Sequence, residues 1–208
     1  DVFSVGTTLV TYTVVDAAGN TSVCSFSVTV TDNELPQLTC NSDIATCNPL
    51  VTYTEPSASD NCGVASVTRT AGLSSGSVFP VGVTTITYEV LDIHGNVNSC
   101  SFTVTIHPTP VLSTVSEDVT CNGDGNGSID LTVTNGTSPY FYTWSNGGSS
   151  QDLTNLAPGI YSVTVTDDNG CSSMTSDTIY EPAVLALNKS VTQVLCYNGN
   201  NGAIDLTI

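Results

Sequence analysis

Asp16-Ala17-Ala18-Gly19-Asn20-Thr21-Ser22-Val23-Cys24-Ser25-Phe26-Ser27-Val28-Thr29-Val30 joins a turn to a strand. In the second half, Phe26, Val28 and Val30 alternate with Ser25, Ser27 and Thr29. This period of two turns one face of a strand to a core and the other to water. The first half is turn chemistry, since Asn and Gly tolerate the positive φ of tight hairpins. The same pattern returns where Tyr161, Val163 and Val165 alternate with Ser162, Thr164 and Thr166 ahead of Asp167-Asp168-Asn169-Gly170. No stretch carries a helical period, so the fold is expected to be all-β.

The opening stretch also occurs twice. Laid over itself so that Phe3 falls on Phe79, the sequence matches without a gap: Val5, Gly6, Tyr12, Asp16, Gly19, Asn20, Cys24 and Phe26 recur as Val81, Gly82, Tyr88, Asp92, Gly95, Asn96, Cys100 and Phe102. A second repeat begins at Cys121-Asn122-Gly123-Asp124-Gly125-Asn126-Gly127-Ser128-Ile129-Asp130-Leu131 and restarts at Cys196, where Asn201 to Leu206 match Asn126 to Leu131. The expected organisation is a tandem array: residues 1–31 as the last part of one module, 32–107 a complete copy, 108–184 a module of the second kind and 185–208 the beginning of another. On this reading both ends cut through repeats, and the chain is a piece of a longer array. Pro36, Pro108, Pro110 and Pro182 stand at the junctions, where a missing backbone donor favours short, stiff connectors.

Composition narrows the function. With 19 acidic residues against 2 basic ones, the net charge of -17 excludes a phosphate-backbone binder, which needs clustered Lys and Arg, and argues against docking on anionic lipid. No run approaches the roughly twenty apolar residues of a membrane helix, and no signal peptide is visible at the first residues. Eight cysteines point to an oxidising, extracellular setting. The two complete modules hold even numbers, and the expected pairing is Cys40 with Cys47, Cys62 with Cys100, and Cys121 with Cys171. Each bridge typically contributes ~2–4 kcal/mol.

Ser59-Asp60-Asn61-Cys62, Gly76-Ser77-Val78-Phe79-Pro80-Val81-Gly82 and Asp92 to Cys100 followed by Ser101-Phe102-Thr103-Val104 closely resemble the hyalin repeat, an immunoglobulin-like extracellular module. Ser138-Pro139-Tyr140-Phe141-Tyr142-Thr143-Trp144-Ser145-Asn146-Gly147 and Leu156-Ala157-Pro158-Gly159-Ile160-Tyr161 resemble the SprB repeat of giant surface adhesins of gliding Bacteroidetes. The resemblance implies immunoglobulin-like sandwiches in an extended array, in a very long secreted protein exported by the type IX system. Such a protein would serve adhesion or gliding at the cell surface without catalysis. Its partners would be the neighbouring modules and an extracellular surface or glycan that the sequence does not name. The rival readings are carbohydrate-binding modules of a secreted enzyme and a laterally self-assembling filament.

Four sets of residues invite a chemical reading. Gly72-Leu73-Ser74-Ser75-Gly76 matches a nucleophile pattern, but it lacks the strand-to-helix elbow and a His base, because His94 sits in a turn and His107 in a linker. Asn122, Asp124, Asn126 and Asp130 follow the spacing of a calcium loop without its final Glu, and a Gly/Asn-rich turn is favoured. Tyr140, Tyr142 and Trp144 share a strand face, a sugar platform or the module's core, with core preferred. Thr178, after Asp177 and before Ile179, resembles an Asp-Thr-aliphatic O-glycosylation site.

The better cation candidate lies at the first junction. Immunoglobulin topology would bring the loop at Asp60 and Asn61 and the loop at Asp92 and Asn96 to the pole that receives Asp32-Asn33-Glu34. Asp32, Glu34, Asp60, Asp92 and Asn96 would then supply hard oxygens to one calcium ion. The plainer alternative, solvated acids capping turns, is favoured. The junction from His107 to Pro110 lacks acids and is expected not to bind.

Overall fold

The computed structural model describes residues 2–193, 196–198, 200 and 202–207. The chain is all-β, with no helix among the described residues, and it divides into two compact units, Asp1–His107 and Pro108–Ile208.

In the first unit, β1 (Gly6–Val15) and β2 (Thr21–Val30) form an antiparallel hairpin. The complete module follows with β3 (Gln37–Thr39), β4 (Ile44–Thr46), β5 (Leu50–Val51), β6 (Ser57–Ser59), β7 (Val64–Ala71), β8 (Ser77–Val78), β9 (Gly82–Asp92) and β10 (Val97–Ile106). Its main sheet runs β4-β10-β9-β7, with β4 parallel to β10 and the other pairs antiparallel. Two short ladders, β3-β6 and β5-β8, complete it. The repeat extends to the register: Gly6 faces Val30 and Val15 faces Thr21, as Gly82 faces Ile106 and Leu91 faces Val97.

Period-two alternation buries Ile86, Tyr88 and Val90 from β9, with Phe102, Val104 and Ile106 from β10, alongside Val51 and Phe79. The same parity carries Asp92, at the end of β9, to the inside, where it is 1% exposed. Asp167 follows Val163 and Val165 in the second unit by the same rule and is 2% exposed. The alternation that builds each core therefore delivers a carboxylate to the turn at one pole.

The second unit contains β11 (Val111–Glu117), β12 (Gly127–Thr134), β13 (Phe141–Trp144), β14 (Leu153–Leu156), β15 (Gly159–Thr166) and β16 (Ser172–Ile179). They form two sheets, β11-β12-β14 and β13-β15-β16, around Ile129, Leu131, Trp144, Leu153, Val163, Val165 and Ile179. A further hairpin, β17 (Asn188–Thr192) with β18 (Ala203–Thr207), pairs Asn188 with Thr207 as β11 and β12 pair Ser113 with Thr132, one repeat earlier.

The expected disulfides are corrected. Cys40 is bonded to Cys100, with Cα atoms 5.9 Å apart, while Cys62 and Cys121 are free thiols. Cys100 lies in a row with Tyr88 and Arg69, whereas Cys62 precedes Val64, which is registered with Asp92. Those rows are four residues apart, about 13 Å along the strand, so Cys62 is beyond the ~7 Å reach of a disulfide. Cys47 follows Thr46, which is registered with Ile106, six residues or about 20 Å along β10 from Cys100 and its partner Cys40. Cys121 belongs to a loop tied to Tyr180 and Pro182 at one end of β16, and Cys171 lies beyond the other end.

Candidate functional site

Three turns share one design. Asp16 Oδ1 accepts the backbone N–H groups of Ala18 and Asn20 at 2.9 and 2.8 Å, and Asp92 Oδ1 accepts those of His94 and Asn96, both at 2.8 Å. Asp167 Oδ1 accepts those of Asn169 and Cys171 at 3.0 and 2.8 Å. In the first two copies the amide of Asn20 or Asn96 also donates to the second carboxylate oxygen, at 2.8 and 2.7 Å. Burial opposes the charge on Asp92, but hydrogen bonds from Asn96, His94 and Gly95 hold its carboxyl below the usual range.

The Asp92 turn does more than close a hairpin. His94 Nδ1 lies 3.0 Å from Asp32 Oδ2, and Asn96 Nδ2 donates to the Asp32 carbonyl at 3.3 Å. Farther along, Asn98 Nδ2 donates to the Pro36 carbonyl at 2.9 Å, and Asn61 Nδ2 to Glu34 Oε2 at 2.6 Å. The incoming segment 32–36 is thus strapped to the β9–β10 turn and to the loop between β6 and β7. Asp60 shapes that loop, its Oδ1 accepting the N–H groups of Cys62 and Gly63 at 2.8 and 2.9 Å.

Of the five residues expected to meet at this pole, Asp32, Asp60 and Asp92 present carboxylate oxygens within 4.8 Å of one another. Glu34 is engaged by Asn61, and the Asn96 amide donates hydrogens to Asp32 and Asp92. Cys62 and His94 were not in the expected set, yet each offers a donor atom within 4.8 Å of Asp32 and of each other. Burial, and then the carboxylates of Asp32, Asp60 and Asp92, push the Cys62 thiol up. Both residues were legible in principle, because each stands two positions after a cluster carboxylate.

The nucleophile-like stretch, the Asn122–Asp130 loop and the aromatic strand face are structural. Ser74 Oγ shares a hydrogen bond with Ser77 Oγ at 2.9 Å, and the Gly72 carbonyl accepts the Arg69 guanidinium. In the Asn122–Asp130 loop, Asn126 and Asp124 bond Thr120 and close the loop on itself. Trp144 is 3% exposed and donates through Nε1 to the Ser150 carbonyl at 2.9 Å, with Tyr140 and Tyr142 packed beside the same core. Thr178 sits half-buried on β16 opposite Ile160.

The HYR domain profile matches residues 1–30 and 31–106, just over half of the chain. The chain belongs to the HYR domain family. The SprB repeat profile matches residues 113–149. Hyalin from Strongylocentrotus purpuratus is 35% identical over 154 residues, 69% of this chain and 12% of that protein. Hyalin from Lytechinus variegatus is 38% identical over 135 residues, 58% of this chain and 25% of that protein. The chain therefore spans a quarter or less of the hyalins it matches. The N-terminal eight immunoglobulin domains of Down Syndrome Cell Adhesion Molecule superpose with a TM-score of 0.54 at 11% identity, covering 83% of this chain and 30% of that one, a likeness of fold. The hyalin relatives are extracellular adhesion-type proteins and not enzymes, and the immunoglobulin likeness is one of fold alone.

Proposed function

We propose that the chain is a length of an extracellular adhesive stalk, in which β-modules in series give reach and carry load instead of turning over a substrate. The observation that carries this reading is the strap at the first junction. Four hydrogen-bonding contacts, from His94, Asn96, Asn98 and Asn61, tie segment 32–36 to the module it leads into. A connector held in this way transmits tension through a folded unit, and modules contacting only their neighbours add length without new cores. The net charge of -17 keeps neighbouring filaments soluble and apart.

The SprB match supports a finer reading, that the array belongs to a giant bacterial surface adhesin exported by the type IX system and serving attachment or gliding. An antibody against residues 32–107 applied to intact producing cells tests it. Labelling without permeabilisation, with loss of attachment or spreading when the gene is deleted, is expected. Labelling only after permeabilisation contradicts the stalk, and normal spreading of the deletion strain contradicts the gliding role.

A further inference from the structure

Cys62 Sγ, His94 Nδ1 or Nε2, and a carboxylate oxygen of Asp32 converge at the junction, all within 4.8 Å of one another. We propose that this pole binds a divalent metal ion of the borderline class, typified by zinc, through Cys62, His94 and Asp32, with solvent completing the coordination. The proposal goes beyond the stalk reading and does not depend on what the array adheres to.

The donor set decides the class of metal. Thiolate, imidazole and carboxylate together suit zinc, whereas calcium takes six to eight oxygens. The dimensions agree with this choice. Donors on one tetrahedral zinc, bonded at about 2.0–2.3 Å, stand roughly 3.3–3.8 Å apart. The 3.0 Å between His94 Nδ1 and Asp32 Oδ2 is already close to that, and pairs at the 4.8 Å limit need a contraction of about 1 Å. His94, on a turn with its side chain 26% exposed, has room to move, while the Asp32 side chain, 3% exposed, is fixed.

Two further features fit the assignment. The ligands are held from behind: Asp60 accepts the Cys62 N–H, Asp92 accepts the His94 N–H, and Asn96 donates to the Asp32 carbonyl. Such supporting bonds orient metal ligands. The carboxylates of Asp32, Asp60 and Asp92 also crowd together at this pole, and the Arg69 guanidinium of the same unit is engaged by the Gly72 carbonyl. Like charges this close repel, and a bound metal would offset that repulsion.

The chain carries its own control. Ala18 stands where the repeat offset puts His94, and its turn keeps the same hydrogen bonds from Ala18 and Asn20 to Asp16. His94→Ala therefore recreates a turn the protein already folds.

The test uses the full 208-residue chain, stripped of metal, titrated calorimetrically with Zn2+ and Ca2+ and spectroscopically with Co2+. Alkylation of each cysteine is mapped by mass. The expected result is one Zn2+ per chain, a tetrahedral cobalt spectrum with thiolate charge transfer, and protection of Cys62 while Cys24 and Cys121 stay reactive. His94→Ala and Cys62→Ser should each weaken Zn2+ binding at least tenfold, while His94→Ala remains folded without metal. No Zn2+ binding, Zn2+ binding indifferent to both substitutions, or Ca2+ binding alone would overturn the proposal.

Discussion

His94 Nδ1 stands 3.0 Å from Asp32 Oδ2, although 62 residues separate them, and this contact fastens the β9–β10 turn to the segment that leads into the module. It depends on Asp92, whose inward parity on β9 and bonds to His94 and Asn96 set the shape of the turn. The core's alternation and the junction's geometry thus have one origin.

Acid should loosen specific carboxylate contacts. Hydrogen bonds, first from the Asn20 side chain and then from its backbone, lower the Asp16 pKa from its usual 3.8, and the Thr103 N–H, at 2.7 Å, is the first cause lowering that of Asp43. A depressed folded value means stability that is present above 3.8 and is lost as pH falls through the folded pKa. NMR titration of the two carboxyl carbons should give midpoints below 3.8, with no change between pH 7 and 5. Midpoints above 3.8 would show that these bonds do not form.

Cys40 and Cys100 close a span of 60 residues, for which chain-entropy arguments give about 4 kcal/mol. Replacing both with Ala should lower the denaturant-measured stability of this module by about that amount. Non-reducing peptide mapping should recover Cys40 joined to Cys100 and a free Cys62. Recovery of Cys62 joined to Cys100 would refute the register on which the site is built.

Trp144→Ala should cost ~3–5 kcal/mol, as expected for deleting a large buried side chain. Thermal unfolding measures this directly. A folded variant of unchanged stability that has lost binding to a glycan array would restore the sugar-platform reading.

Gly72 has φ +82°, and a Cβ there would stand 2.5 Å from Ile86 Cδ1 and 2.6 Å from the Thr85 carbonyl. Gly72→Ala should destabilise the module by about 1–3 kcal/mol, an effect of backbone strain and crowding. Ser74→Ala, in the same Gly-x-Ser-x-Gly stretch, should change stability little, and its melting curve provides the comparison.

The strands were legible because their signal is local: Phe26, Val28 and Val30 announce a half-buried strand without reference to anything distant. Repetition then extended the reading, since the β1–β2 and β9–β10 hairpins, one repeat apart, share one register. The three carboxylates at the pole were legible once immunoglobulin topology put two loops at one end. The disulfides were not, because pairing depends on height along a strand, and even counts within a module carry no heights. The same missing heights place Cys62 in a bridge on counts alone, which takes its thiol out of the cation set, and His94 reads in the sequence as a turn residue.

The two complete β-modules each have their own core, and the hyalin-like one is pinned across most of its length. Single-molecule stretching of the intact chain and of the Cys40→Ala/Cys100→Ala double variant measures this most directly. The account predicts stepwise unfolding, with the step of module 32–107 longer by about 200 Å in the variant because the 60-residue span is released. Equal step lengths in the two proteins, or a single event for the whole chain, would contradict it.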